Sequence, residues 1–120
     1  MTNTAKALFQ FWSSFKIPAY PEYHVPDDAT EPYITYEIAE PHWNSQTSHH
    51  ARVWYRDESY VSINAKLDEI SDAIGDGVTT RTENGIIALF KDDAFIQYQP
   101  YEDATEVKVA YLSLILQAYT

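Results

Sequence analysis

The segment Asp57-Glu58-Ser59-Tyr60-Val61-Ser62-Ile63-Asn64-Ala65-Lys66-Leu67-Asp68-Glu69-Ile70-Ser71-Asp72-Ala73-Ile74-Gly75-Asp76-Gly77 decides the fold class. Tyr60, Ile63, Leu67, Ile70 and Ile74 recur at spacings of three and four, the period of one helix face. Asp57, Glu58 and Ser59 place a cap and negative charge where a helix N-terminus favours them, and Gly75 and Gly77 supply the stop. Asn64, Lys66, Asp68, Glu69 and Asp72 occupy the other face, as expected of a solvated helix surface. One helix therefore stands between two runs of strands.

On its N-terminal side, Pro32–Glu40 is rich in β-branched and aromatic residues, with Ile34, Tyr36 and Ile38 alternating onto one face. Pro41 ends that strand. A polar stretch, His42-Trp43-Asn44-Ser45-Gln46, leads into a second strand near Thr47–Arg56, where Ala51, Val53 and Tyr55 share a face; the two read as a hairpin with a long tip. Further upstream, Pro18, Pro21, Pro26 and Pro32 mark a loop, and Leu8, Phe11, Trp12 and Phe15 predict an amphipathic helix over residues 4–16. On the C-terminal side, Asn84-Gly85 signals a turn before a short strand, Ile86–Phe90. Lys91-Asp92-Asp93-Ala94 then suggests a turn into Phe95–Gln99, a second hairpin. Val107–Tyr119 reads as a long strand, apolar on both faces over its second half. The expected architecture is a single α+β domain over residues 1–120, with a mainly antiparallel sheet of about five strands and two helices packed on one face.

Composition narrows the chemistry. The 120 residues contain no cysteine, which excludes disulfide frameworks, thiolate zinc sites and thiol catalysis. A net charge of −10 opposes binding to phosphate backbones and anionic lipid. The N-terminus lacks the pattern of an export signal, and no apolar run approaches a membrane span, so a soluble chain is expected. Only three glycines are present, and none makes a nucleophile elbow or a phosphate-cradling loop. His42, His49 and His50 lie near Glu40, but adjacent strand residues point to opposite faces, so His49 and His50 are poorly placed to share an ion. Exposed hairpin histidines are the plainer expectation. No catalytic residue, metal ligand or cofactor site is assigned.

Charge and aromatic residues are unevenly distributed. No Lys or Arg occurs between Lys16 and Arg52 or between Lys91 and Lys108, while both intervals are rich in acids. Ten tyrosines and three tryptophans exceed what one small core would hold, and Trp43 falls in the polar hairpin tip. Exposed aromatics of this kind favour protein–protein contact. The expected contact set is His42, Trp43, Asn44, His49, Arg52 and Trp54.

Several segments, taken in order, resemble the tail terminator (tail completion) proteins of long-tailed bacteriophages, of the kind found in phages of Gram-positive bacteria. They are Phe11-Trp12-Ser13-Ser14-Phe15, Ile17-Pro18-Ala19-Tyr20-Pro21, Val25-Pro26-Asp27-Asp28-Ala29, Pro32-Tyr33-Ile34-Thr35-Tyr36, Ala51-Arg52-Val53-Trp54-Tyr55-Arg56, Ile63-Asn64-Ala65-Lys66 and Tyr111-Leu112-Ser113-Leu114. The resemblance spans nearly the whole chain and rests on order and spacing. It implies a non-catalytic virion protein, assembled in the bacterial host cytoplasm, that forms a homo-hexameric ring on the tail tube. Such a ring ends tube polymerisation, meets the head–neck connector, and lets DNA pass its lumen without specific binding; no cofactor or membrane is involved. His42-Trp43-Asn44 and His49-His50 depart from the family pattern, so no family role is carried onto them. The alternatives are another neck or head-completion protein, an acidic DNA-mimicking inhibitor, and a metal-dependent enzyme using the histidines.

Overall fold

The computed structural model describes residues 3–39, 41, 42, 44–83, 85–99 and 106–119. Its elements, in order, are α1 (Asn3–Ser13), β1 (Ala19–Pro21), β2 (Tyr33–Tyr36), β3 (Gln46–Arg56), α2 (Val61–Ile74), β4 (Val78–Thr82), β5 (Gly85–Gln99) and β6 (Val107–Tyr119). The strands form one six-stranded sheet in the order β1-β2-β3-β6-β5-β4. Every neighbouring pair is antiparallel except β1 with β2, which is parallel. The α+β class agrees with the sequence reading; the strand count and the details of pairing differ from it.

Two differences have clear physical origins. The stretch expected to form a second hairpin is one continuous strand, β5, interrupted by an irregularity between Lys91 and Ile96. There β5 advances five residues while β6 advances only from Leu114 to Leu112, and Ala94 takes a positive φ of 53°. Asp92-Asp93 reads as a turn locally, but β6 is long enough to pair with both halves, so the extra residues are absorbed as a bulge. The second difference is β1, three residues inside the Pro-rich loop. It pairs as an edge strand, where a proline such as Pro21 is tolerated. The first expected hairpin is present as the antiparallel pair β2 and β3, and the second hairpin joins β4 to β5, with Thr82 paired to Gly85.

Both helices lie on the same face of the sheet. Leu8, Trp12 and Phe15 on or just after α1, with Ile63, Leu67, Ile70 and Ile74 on α2, share one core cluster with Ile34, Tyr36, Ala51, Val53, Leu112, Leu114 and Leu116 of the sheet. Burying each large apolar side chain contributes about 1.5–3 kcal/mol, and for a helix as short as α1 this packing outweighs propensity. Phe11 meets Trp12 edge-on at 4.9 Å and Phe15 at 5.3 Å between ring centroids. α2 begins after a local turn in which Asp57 accepts hydrogen bonds from the Ser59 N–H and the Ser62 hydroxyl, bonds that hold its carboxyl below the usual carboxylate range. Lys66 of α2 donates to the Phe15 carbonyl at 2.6 Å and pairs with Glu69, tying the two helices together.

α1 touches both β1 and β4, the opposite edges of the sheet. In a flat six-stranded sheet those edges would lie roughly 24 Å apart, whereas eleven helical residues span about 16 Å. The sheet is therefore curled, and α1 lies across its open side.

Beyond α2, the backbone requires glycine. Gly77 has φ 147°, and a Cβ there would stand 2.6 Å from the Phe90 ring. Gly77→Ala is expected to destabilise the fold by about 2 kcal/mol or more through strain and overpacking. Gly75, with φ 53° and ψ −130°, meets nothing closer than 3.7 Å, so Gly75→Ala should cost about 1–2 kcal/mol through backbone strain alone, less than Gly77→Ala. Chemical denaturation of both variants checks the order.

Candidate interaction face of the sheet

Strand alternation sends one set of side chains to the core and the other to the side turned away from the helices. On β3, His49, Ala51 and Val53 are buried, while His50, Arg52, Trp54 and Arg56 project from the opposite face. The β3–β6 register pairs Arg52 with Tyr111 and Trp54 with Val109; the β2–β3 register pairs Thr35 with Arg52 and Tyr33 with Trp54. Three neighbouring strands, β2, β3 and β6, thus contribute to one outer surface.

Its aromatic part is a row of rings. Tyr20 meets Tyr33 edge-on at 5.9 Å, and Tyr33 meets Trp54 at 5.9 Å. Trp54 Nε1 donates to Thr35 Oγ1 at 3.0 Å, which fixes the indole plane. Beside it, the Arg52 guanidinium lies over the Tyr111 ring at 4.9 Å, donates from Nε to Gln99 Oε1 at 3.3 Å, and sits 3.6 Å from Glu22. His50 stacks on Tyr111 at 5.1 Å, with its Nδ1 3.0 Å from Glu37 Oε1. Glu22, Tyr23, Val25, Tyr33, Thr35, Arg52 and Trp54 line an open cleft of about 580 Å³ on this side. A second groove, about 610 Å³ and mostly apolar, runs between α1 and β2 past Phe9, Tyr23, Tyr36 and Ile38, with Phe9 and Tyr23 exposed.

The expected contact residues separate. Arg52 and Trp54 lie together on the outer face, half-buried. His42 and Asn44 are exposed, but the segment does not project: Asn44 N–H donates to Ala118 O at 2.7 Å and Ala118 N–H to Ser45 O at 3.1 Å, laying it against the end of β6. Trp43 lies outside the described residues. His49, an exposed hairpin histidine by its sequence, is instead fully buried, with 0% exposure. The alternation that turns Ala51 and Val53 inward turns His49 inward with them. Its Nε2 accepts the Trp12 indole N–H at 3.0 Å, and burial, with a smaller effect from His50, lowers its pKa to about 4.

Tyr33, Glu22, His50, Tyr111 and Gln99 lie outside the contact set expected from the sequence, which weighs His50 only as a metal ligand. The parity of Arg52 and Trp54 was the signal available for His50; the others required the strand registers. Among the described residues, no three His, Asp or Glu side chains converge as a metal site, and no helix is long and apolar enough to cross a membrane. The sequence matches no family model and no curated protein.

The loop between β1 and β2 is pinned to this face by charge. Arg56 bridges Glu31 at 3.3 Å and Glu106 at 2.7 Å, all at the rim. Exposed pairs of this kind contribute little and are screened by salt. Arg56→Ala should therefore cost about 0.5–1 kcal/mol at low ionic strength and less in 0.5 M salt, measured by denaturation at both conditions.

Proposed function

We propose that this chain is a structural assembly protein that binds its partners through the outer face of its sheet, acting in the manner of a phage tail terminator. In this reading it caps a tail tube as a hexameric ring, ends tube polymerisation and joins the tail to the neck connector, without catalysis. The observation that carries the interaction reading is the ordered row Tyr20–Tyr33–Trp54 beside Arg52 and Tyr111. It is held by hydrogen bonds and ring contacts, yet lies on the side that neither helix covers. Aromatic residues and arginine on a rigid scaffold are the side chains that concentrate binding energy at interfaces. The phage setting rests on the ordered segments that resemble tail terminators.

Arg52 and Trp54 are the central contacts in this reading, with His42, Asn44 and Trp43 at the periphery. The excess of acids, −10 over the chain, suits a ring through which DNA passes without adhering. When mixed with tail tube subunits of its own phage, the protein should give rings or capped tubes of defined length in negative-stain images. The double variant Arg52→Glu, Trp54→Ala should keep the circular dichroism spectrum of the parent and lose capping at least about tenfold, a loss of the size expected for central interface residues. Unchanged tube lengths with the parent protein would refute the terminator role; undiminished capping by a folded variant would refute the assigned face.

A further inference from the structure

His49 is the one described side chain with a buried polar atom that has no partner. An indole N–H can only donate, so the bond from Trp12 Nε1 requires a bare Nε2 on His49. The neutral ring therefore carries its proton on Nδ1, and that buried donor is the orphan. The contact joins α1 to β3 across 37 residues of sequence, inside the core.

We propose that Trp12 and His49 form a proton-sensitive latch that fastens α1 across the open side of the curled sheet and releases it when the imidazole takes up a proton. Protonation of Nε2 sets an N–H against the Trp12 N–H, so an attraction becomes a repulsion between two donors. It also places a charge that no carboxylate among the described residues is seen to compensate. α1 presents Trp12 to the ring, and β6 presents Leu114 at the paired position, neither charged. On β3 itself, His50 lies on the opposite face beside Glu37, and a proton on it further disfavours one on His49. Because α1 touches both β1 and β4, its release uncovers the two sheet edges together.

The direction follows from linkage. The closed state holds His49 at a pKa of about 4, against 6.5 for an exposed histidine, so the latch is secure above pH 6.5 and weakens as pH falls toward 4. From pH 7.5 to pH 5 the opening equilibrium should rise about 30-fold.

Native-state hydrogen exchange on the full chain tests this. Protection factors of α1 amides should fall about 30-fold between pH 7.5 and 5, remain below those of β6 at both values, and change little with low denaturant, as for a sub-global opening. His49→Gln keeps an acceptor for Trp12 without titrating, and should abolish the pH dependence of α1. Equal protection and equal denaturant slopes for α1 and β6 at pH 5 would overturn the latch, since protonation would then act only through global unfolding. So would acid-dependent α1 exchange that persists in His49→Gln. Should that variant not fold, titration of the wild-type imidazole by NMR decides: a pKa well below 6.5 with a bare Nε2 supports the latch, and an ordinary value overturns it.

Discussion

The pairing of β3 with β6 is the constraint on which the remaining structure depends. All eleven residues of β3 are in register with β6, a strand separated from it by α2, β4 and β5. Because side chains alternate with period two, that one register assigns each residue to the core or to the outer face. His49 and His50 are adjacent, yet one enters the core against Trp12 and the other stacks on Tyr111 outside. A slip of one residue would exchange them, burying Arg52 and expelling Val53. The register is secured by apolar pairs on the inner face, Val53 with Ala110 and Ala51 with Leu112, whose misplacement would forfeit burial along the whole strand.

The curl of the sheet follows from a second constraint, the shortness of α1. A helix of eleven residues covers two distant edges only if they approach each other, so its aromatic side chains and the curvature of the sheet are mutually dependent. This also explains why a polar pair sits in the core. An all-apolar contact would hold α1 as firmly, whereas a Trp–His bond is directional and specifies one rotation of the helix on the sheet. Lys66, reaching the Phe15 carbonyl from α2, adds a second directional tie close to the first.

Much of this was legible in the residues. α2 announced its apolar face and its glycine stop, and Ile63, Leu67, Ile70 and Ile74 are all buried; its N-terminus differs, because Tyr60 is an exposed N-cap without a side-chain cap bond and Asp57 and Ser59 act in the turn before it. The α1 stripe and the alternation of Ile34 with Tyr36 and of Ala51 with Val53 were equally readable, because local periodicity and tertiary burial agree there. What could not be read was non-local. Asp92-Asp93 has turn chemistry, and only the length of β6 across from it converts the turn into a bulge. Ala19–Pro21 has no strand signal at all, since its parallel pairing with β2 depends on where the loop returns. At the candidate site, the spacing of Arg52 and Trp54 puts both on one face of β3, but the rings around them come from β1, β2 and β6, the carboxylates Glu22 and Glu37 from just after β1 and β2, and the Gln99 amide from β5. His49 was misjudged by residue type, although the parity of its own strand argued for the core.

The charge distribution connects the outer face to the whole molecule. Of the cations on the described sheet, Arg52 and Arg56 engage Glu22, Glu31 and Glu106, and Lys91 lies over Phe95 while donating to Ser71. Positive charge is thus largely used to bind the chain's own loops, leaving a surface dominated by acids such as Asp68, Asp72 and Asp76 on and after α2. Copies of so acidic a chain repel one another at long range, and the repulsion is screened over about 8–10 Å at physiological salt. Any self-assembly must then draw its free energy from short-range contacts that outlast screening: aromatic packing, arginine on rings, and buried apolar area. Such contacts are offered by the outer face around Trp54 and Arg52, by exposed Phe9 and Tyr23 beside α1, and by the exposed pair of Tyr60 and Tyr98 near the start of α2.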